Sequence, residues 1–274
     1  MDKMTFDSNT SVYAVFGDPV SHTLSPSMHN RAFQFTGYNG VYLAFGVKNI
    51  KNALVSLRTL GIKGASITIP HKIEAMKYLD EVDSIALKIG AVNTIINNDV
   101  FLKGYNSDGL GAVKALSEKT VIKGKNIAVI GAGGAARAVG FCVKKEGGRI
   151  TVINRSIDKG KRLAGELSAD YRPLNDIGKM NCDILINTTS VGMTPHADGM
   201  PIERRYLKKG MVVMDIVYNP LRTRLLSEAE KAGCITVDGV SMFVNQGAFQ
   251  FELWTGIKAP IDIMKKAVLD ALIE

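Results

Sequence analysis

Three short polar clusters in this chain of 274 residues have the make-up of a site that holds a polar substrate and moves a proton. Two of them, Ser21-His22-Thr23-Leu24-Ser25-Pro26 and Thr68-Ile69-Pro70-His71-Lys72, each follow an apolar run that reads as a β-strand, residues 12–17 and 64–69. Ligands of open α/β sheets bind at the carboxyl ends of strands, so both clusters can face one crevice. Ser25 before Pro26 is also ordinary helix-start grammar, an N-cap followed by proline at the first helical position. Thr23 has no such structural use. The pattern puts Lys72 at the start of a helix, where the dipole disfavours a cation, and that suits a group that must give up its proton as a general acid. The third cluster, Gly104-Tyr105-Asn106-Ser107-Asp108-Gly109, stands where the chain leaves its first half for its second. Asp108 opens an expected helix and either merely caps it or, near an interdomain cleft, orients the Lys72 ammonium and shares its proton. His71, beside Lys72, is the weaker candidate for the same proton.

A second chemistry is written at residues 125–139, an apolar strand that turns on glycines straight into a helix. Gly131 permits the tight bend, Gly133 lets the backbone approach a pyrophosphate, and Ala136 is small enough for the helix to pack on its strand. Gly134, with Ala132 and Ala135, completes a helix start whose N–H groups and dipole favour an anion. A second strand, residues 149–153, follows at βαβ spacing, so the turn reads as a dinucleotide site. Where an NAD site carries an acidic residue, this chain has Asn154-Arg155-Ser156. No carboxylate repels an extra phosphate there, Arg155 offers a planar fork of donors, and Lys159 adds charge one turn later, which favours NADP. Helix capping by Asn154 or Ser156 is compatible with that use.

Composition bounds the reading. The length suits two domains, and a hydrophobic content of 46% suits a globular enzyme. The net charge of +8 is spread along the chain without a basic stripe, so it fits attraction for anionic small molecules rather than nucleic acid. No apolar run approaches the length of a membrane span and the first residues do not resemble a secretory leader, which predicts a cytoplasmic protein. Cys142, Cys182 and Cys234 form neither a disulfide framework nor a zinc pattern and are expected to be reduced packing residues, while the four histidines are scattered and predict no metal site.

The elements that must position these residues alternate between strand and helix. Strands are expected at 12–17, 41–47 and 64–69, with helices from about Pro26 and Asn49; two strands at 91–96 and 100–105 flank a polar turn, and a helix spans 108–117. Strands at 184–187, 211–215 and 235–237 extend the glycine-turn region, and helices from about Ser241 and Pro260 have no strand of their own to cover. The fold class is therefore α/β in two domains separated by a cleft: an α/β substrate-binding and catalytic domain, residues 1–108 completed by 239–274, and a Rossmann-type dinucleotide-binding domain, residues 109–238.

The same residues resemble shikimate dehydrogenases over nearly the whole chain, through Gly17-Asp18-Pro19-Val20, residues 22–30, 68–72, Gly90-Ala91-Val92-Asn93-Thr94, 106–108, the glycine turn, Asn154-Arg155-Ser156, and residues 187–193, 215–220 and 239–256. The resemblance implies an NADP-dependent, reversible reduction of 3-dehydroshikimate to shikimate in aromatic amino acid biosynthesis. It implies Lys72 and Asp108 as the catalytic pair, Thr23, Ser25 and Tyr218 on the carboxylate, and Thr68, Asn93 and Gln246 on the ring hydroxyls. For NADP it points to Gly131, Ala132, Gly133, Gly134 and Ala135, to Asn154 through Lys159, and to Ile216 and Gly239. Thr23 stands where the family usually has Ser, and Ser66 where it usually has Asn; these are the places for a relaxed preference such as acceptance of quinate. Ser107 and Ser156 replace the usual Thr and keep the hydroxyl. A non-catalytic NADP-sensing regulator on the same fold is the rival reading, and it would not need Lys72, Asp108, Tyr218 and Gln246 together. The expected partners are the small-molecule substrate and cofactor, with the chain a monomer or homodimer.

Overall fold

The computed structural model describes residues 6–179 and 181–273. Contacts divide the chain into two units, one comprising residues up to Ser107 and from Gln246 onward, the other Asp108–Asn245.

The first unit is a sheet of six strands, β1 Ser11–Gly17, β2 Gly40–Gly46, β3 Gly64–Ile67, β4 Glu81–Val82, β5 Thr94–Asn98 and β6 Phe101–Tyr105, in the order β2-β1-β3-β5-β6-β4. β1, β2 and β3 are parallel, whereas β5 runs antiparallel to β3 and β6. Ala14 and Phe16 of β1 join Leu54 and Leu57 of helix α2 (Ile50–Thr59) in one core. On the opposite face, as strand alternation requires, Tyr13 meets Phe33 of α1 (Ser25–Thr36) and Trp254 of the penultimate helix. A short helix, α3 (Ser84–Ile89), is capped by Asp83, whose carboxylate accepts from the amides of Ile85 and Ala86.

The second unit is parallel throughout. It contains α4 (Asp108–Ser117), β7 (Asn126–Ile130), α5 (Gly134–Lys145), β8 (Arg149–Asn154), α6 (Ile157–Leu167), β9 (Asp170–Pro173), β10 (Ile184–Asn187), β11 (Val212–Asp215), α7 (Arg224–Lys231) and β12 (Ile235–Val237). The order β12-β11-β10-β7-β8-β9 is that of a doubly wound dinucleotide-binding sheet, with the reversal between β7 and β10. Ile127, Val129 and Val152 face a core with Val139, Val143 and Leu163, while Ala128, Ile130 and Ile153 face one with Leu185, Leu225 and Leu226.

Helix α8 (Gly239–Thr255) begins in the second unit and runs into the first, where α9 (Ile261–Ile273) packs on α1. Gly64 explains where α8 docks: a Cβ there would lie 2.3 Å from the Trp254 indole nitrogen, which instead donates to the Ile95 carbonyl oxygen at 2.9 Å. No helix among the described residues is long and apolar enough to cross a membrane. The three cysteines are free thiols, and burial pushes those of Cys142 and Cys182 up to about 11.

Not every local expectation holds. The strand predicted to reach residue 69 stops at Ile67, and no α-helix follows Lys72; residues 69–73 form turns leading into a 3-10 turn, Glu74–Tyr78. Pro70 cannot donate to a strand ladder, and the backbone is closed instead by bonds from the His71 amide to Thr68 oxygen and from the Ala75 amide to His71 oxygen. Lys72 therefore does not open an α-helix, and no α-helix dipole acts on its ammonium. Ser25 is the first helical residue of α1 rather than its N-cap, a position taken by Leu24 without a side-chain bond. Strands β4 and β9 and helices α3 and α7 were not anticipated; all are short, and two to eight residues are too few for a period to show.

Candidate active site

In the first unit the polar clusters stand at strand ends. Gly17 closes β1, and a Cβ on it would lie 2.3 Å from the Thr68 methyl carbon, so glycine is what lets Thr68 come beside β1. The Thr68 amide donates to Phe16 oxygen at 3.0 Å and the Asp18 amide to Ile69 oxygen at 3.0 Å, fixing the second cluster against the first strand. Thr23 and Ser25 form a hydroxyl pair: the Thr23 hydroxyl donates to Ser25 Oγ at 3.2 Å and the Ser25 amide donates to Thr23 Oγ1 at 3.3 Å. Lys72 is half-buried, and its carbonyl accepts from the Val92 amide at 2.9 Å, which ties the turn to the segment carrying Asn93. His71 is buried and its Nε2–H donates to the Val47 carbonyl oxygen, so that nitrogen is committed to a backbone group.

Asn93 and Gln246 meet in a buried polar layer. The Asn93 amide nitrogen donates to Ser107 Oγ at 2.9 Å and to Gln246 Oε1 at 3.4 Å, while its carbonyl oxygen accepts from the Ser107 amide at 2.8 Å and the Thr94 hydroxyl at 2.8 Å. Ser107 Oγ also donates to Gln246 Oε1 at 3.1 Å. Ser107, which the sequence left without a role, is thus the fastener between the two expected ligands of the ring hydroxyls. Asn106 holds the same junction by donating to Ala91 oxygen at 3.0 Å.

Asp108 and Tyr218 belong to the second unit. Asp108 is the first residue of α4, is 9% exposed, and is fixed by the packing of that helix. A Cβ on Gly109 would lie 2.4 Å from both Ala138 oxygen and Cys142 Sγ, so α4 crosses α5 at its closest possible approach. The helix that begins with Asp108 is thereby set against the helix that begins at the glycine turn. Tyr218 stacks on Phe243 with centroids 4.8 Å apart, and burial raises its phenol, which stays protonated and able to donate. Asp215 holds the loop that carries it: its carboxylate accepts from Asn187 Nδ2 at 2.9 Å, the Val217 amide at 3.1 Å and Thr223 Oγ1 at 2.7 Å.

The glycine turn fits a dinucleotide. Gly131 has φ +119°, and a Cβ there would lie 2.6 Å from Thr188 Oγ1 at the β7–β10 reversal. Gly133 and Gly134 are exposed, and a Cβ on either would meet nothing within 4 Å, so the space over the first turn of α5 is open for a ligand's phosphates. Ala136 is fully buried, as the close packing of α5 on its sheet requires, with Ala132 and Ala135 half-buried between. At the end of β8, Asn154 donates to Ser156 oxygen at 2.8 Å, while Ser156 takes the N-cap position of α6 without a side-chain capping bond. Arg155 and Lys159 are exposed and, among the described residues, have no carboxylate partner, which leaves two cations for an incoming anion. Gly239 is buried where a Cβ would lie 2.4 Å from Val217 oxygen and 2.7 Å from Ile216 oxygen; it lets α8 begin against the loop of Ile216.

Sequence reasoning missed Thr94, Ser107 and Gln250 as members of the polar layer. Gln246 and Gln250 are four apart, on one face of a largely apolar helix, and that pair of amides was the available signal.

Three family models match the chain. Residues 15–95 match the shikimate dehydrogenase substrate binding domain, residues 113–241 the shikimate / quinate 5-dehydrogenase model, and residues 239–269 the shikimate 5'-dehydrogenase C-terminal domain. The chain is 46% identical to the shikimate dehydrogenase (NADP(+)) of Methanobrevibacter smithii, covering 97% of this chain and 99% of the relative. It superposes on a shikimate dehydrogenase crystallised in complex with NADP+ with a TM-score of 0.96 at 43% identity, covering 98% of each chain. The shikimate 5-dehydrogenase of Thermus thermophilus, solved with NADP(H) and shikimate, gives a TM-score of 0.90 at 34% identity, covering 96% of this chain and 100% of that one.

Proposed function

The chain belongs to the shikimate dehydrogenase family, and on that premise we propose the residues through which it works. It is an NADP-dependent oxidoreductase that interconverts 3-dehydroshikimate and shikimate. When bound, NADPH supplies the hydride that the ketone carbon receives. Gly131 through Ala135 hold the pyrophosphate on backbone N–H groups at the start of α5, and Arg155 with Lys159 neutralises the 2′-phosphate. Asn154, Ser156, Ile216 and Gly239 line the rest of the cofactor's path.

Substrate is held by hydroxyls and amides. Thr23, Ser25 and the protonated Tyr218 donate to its carboxylate, and Thr68, Asn93 and Gln246 bond its ring hydroxyls. Reduction leaves charge developing on the ketone oxygen, and the Lys72 ammonium delivers the proton that quenches it. Asp108 orients that ammonium and keeps a compensating charge beside it. In the oxidative direction the same amine takes the hydroxyl proton. The observation that carries this reading is the layer in which Asn93, Ser107 and Gln246 bond one another. It presents fixed polar groups of the kind a polyhydroxylated ring needs, and a site built to bond hydroxyls discriminates strongly against analogues that lack them. Work on small soluble metabolites fits a cytoplasmic enzyme, whether monomer or homodimer.

The test is kinetic. Lys72→Ala is expected to lower kcat by about 10²- to 10⁴-fold with the shikimate KM within roughly tenfold of the parent, because the lost group acts on the proton in transit. Asp108→Asn should lower kcat in the same sense. Near-parental turnover in Lys72→Ala would remove it as the acid.

A further inference from the structure

Five buried polar side chains of the first unit, Tyr42, Ser66, Gln250, Thr94 and Asn93, form a file of hydrogen bonds in which each member's donor and acceptor are assigned by its neighbour. Tyr42, fully buried and kept protonated by that burial, donates to Ser66 Oγ at 2.6 Å, and Ser66 donates to Gln250 Oε1 at 3.1 Å. The direction then passes through the amide: Gln250 Nε2 donates to Thr94 Oγ1 at 2.9 Å and to Asn93 oxygen at 3.3 Å, and the Thr94 hydroxyl donates to Asn93 Oδ1 at 2.8 Å. A Gln or Asn amide can present either end to a neighbour, and only its partners decide which. Ser66 commits the Gln250 oxygen as acceptor, which commits its nitrogen as donor. Thr94 in turn, together with the Ser107 amide, commits the Asn93 oxygen and leaves the Asn93 nitrogen as the group offered toward Gln246.

We propose that Ser66, Gln250 and Thr94 are positioning residues for substrate, fixing the amide orientation of Asn93 in the Asn93–Gln246 layer, with the Tyr42 phenol setting the direction from the far end. This rests on the reading of Asn93 and Gln246 as ligands of the ring hydroxyls. It also gives Ser66 a role different from that of a substrate ligand. Ser66 is 7% exposed, with its hydroxyl engaged by Tyr42 and Gln250, so the short side chain in β3 serves the relay behind the site. Every member lies in the first unit, so the relay acts on substrate and leaves the dinucleotide turn untouched.

Isosteric replacement tests it. Thr94→Val keeps shape and removes the hydroxyl; Thr94→Ser keeps the hydroxyl and removes the methyl; Ser66→Ala removes the donor to Gln250. Thr94→Val and Ser66→Ala should each raise the shikimate KM and Kd by about tenfold, the scale of one buried hydrogen bond, with kcat and the NADP Kd within about twofold. Thr94→Ser should restore the shikimate KM to within about threefold of the parent, which a role in packing alone would not do. Gln246→Ala is measured alongside. A raised KM in Gln246→Ala with unchanged values in Thr94→Val and Ser66→Ala overturns the relay and leaves the substrate site standing. Unchanged values in all three variants overturn the substrate site itself, and the relay with it. Equal losses for shikimate and NADP would also overturn the relay, since they mark a general disturbance of the fold.

Discussion

At the scale of single residues, two side chains state what their surroundings do to a charge. Arg155 is exposed and, among the described residues, without a carboxylate partner, so its contribution to cofactor binding is screened by water and lies at the low end for a charge-assisted bond. Arg155→Ala should weaken NADP by about tenfold and leave NAD nearly unchanged, because only the 2′-phosphate meets the guanidinium. Added salt should shrink the parent's preference too. Fluorescence titration of both cofactors reads this; equal losses would mean that Arg155 supports something common to both. His29 is the opposite case. It is fully buried, stacked on Tyr42 at 4.5 Å, and burial pushes its imidazole down to about 3. Between an unfolded value near 6.5 and that folded value, the unfolded chain binds one proton more than the native one, so stability falls as pH falls by about 1.4 kcal/mol per pH unit. In His29→Leu the loss of unfolding free energy between pH 7 and pH 5, measured in urea, should be smaller by about 2 kcal/mol. An unaltered pH slope would contradict a neutral His29.

At the scale of elements, the strand–turn–helix from β7 to α5 separates two reasons for glycine. Gly131 must be glycine for the fold, since its φ of +119° and the Thr188 hydroxyl 2.6 Å from a would-be Cβ leave no place for a side chain. Gly133 has open space around it and is free of that demand. Gly133→Ala should therefore keep the parent's melting temperature to within a few degrees while weakening NADP by about tenfold or more, the methyl occupying room meant for phosphate. Gly131→Ala should lower the melting temperature itself. Calorimetry with a cofactor titration distinguishes them, and normal NADP affinity in Gly133→Ala would place the pyrophosphate elsewhere.

At the scale of the whole molecule, each unit has its own sheet and its own core, and the dinucleotide turn and the Asn93–Gln246 layer each lie within one unit. NADP alone should accordingly slow amide exchange at the start of α5 and at residues 154–159, and protect the second unit by mass action to the extent of about 2.7 kcal/mol at a hundredfold excess over Kd. Protection of β1, β3 and β5 by NADP alone would contradict a site confined to the second unit. Exchange measured by mass spectrometry on the intact chain resolves the two.

Local patterns in the chain were enough for the parts whose physics is local. The glycine turn was legible because φ, small size and helix start are properties of adjacent residues, and α4, β10 and β12 appeared at their expected bounds because their apolar runs are bracketed by polar or turn residues. The polar clusters at residues 21–26 and 68–72 were legible for a similar reason, as hydroxyls and charges where an apolar run ends. Tertiary structure alone decided which buried polar groups meet. Ser107 and Gln246 are 139 positions apart and Ser66 and Gln250 are 184 apart, and no local period joins them. It also replaced the helix after Lys72 by turns, because the backbone bonds available around Pro70 come from β1 and from Thr68 rather than from a helical ladder. A buried hydroxyl or amide has no preferred partner of its own; the burial of β3, β5 and α8 against one another removed water from the choice and left each of these groups only the polar neighbours within reach.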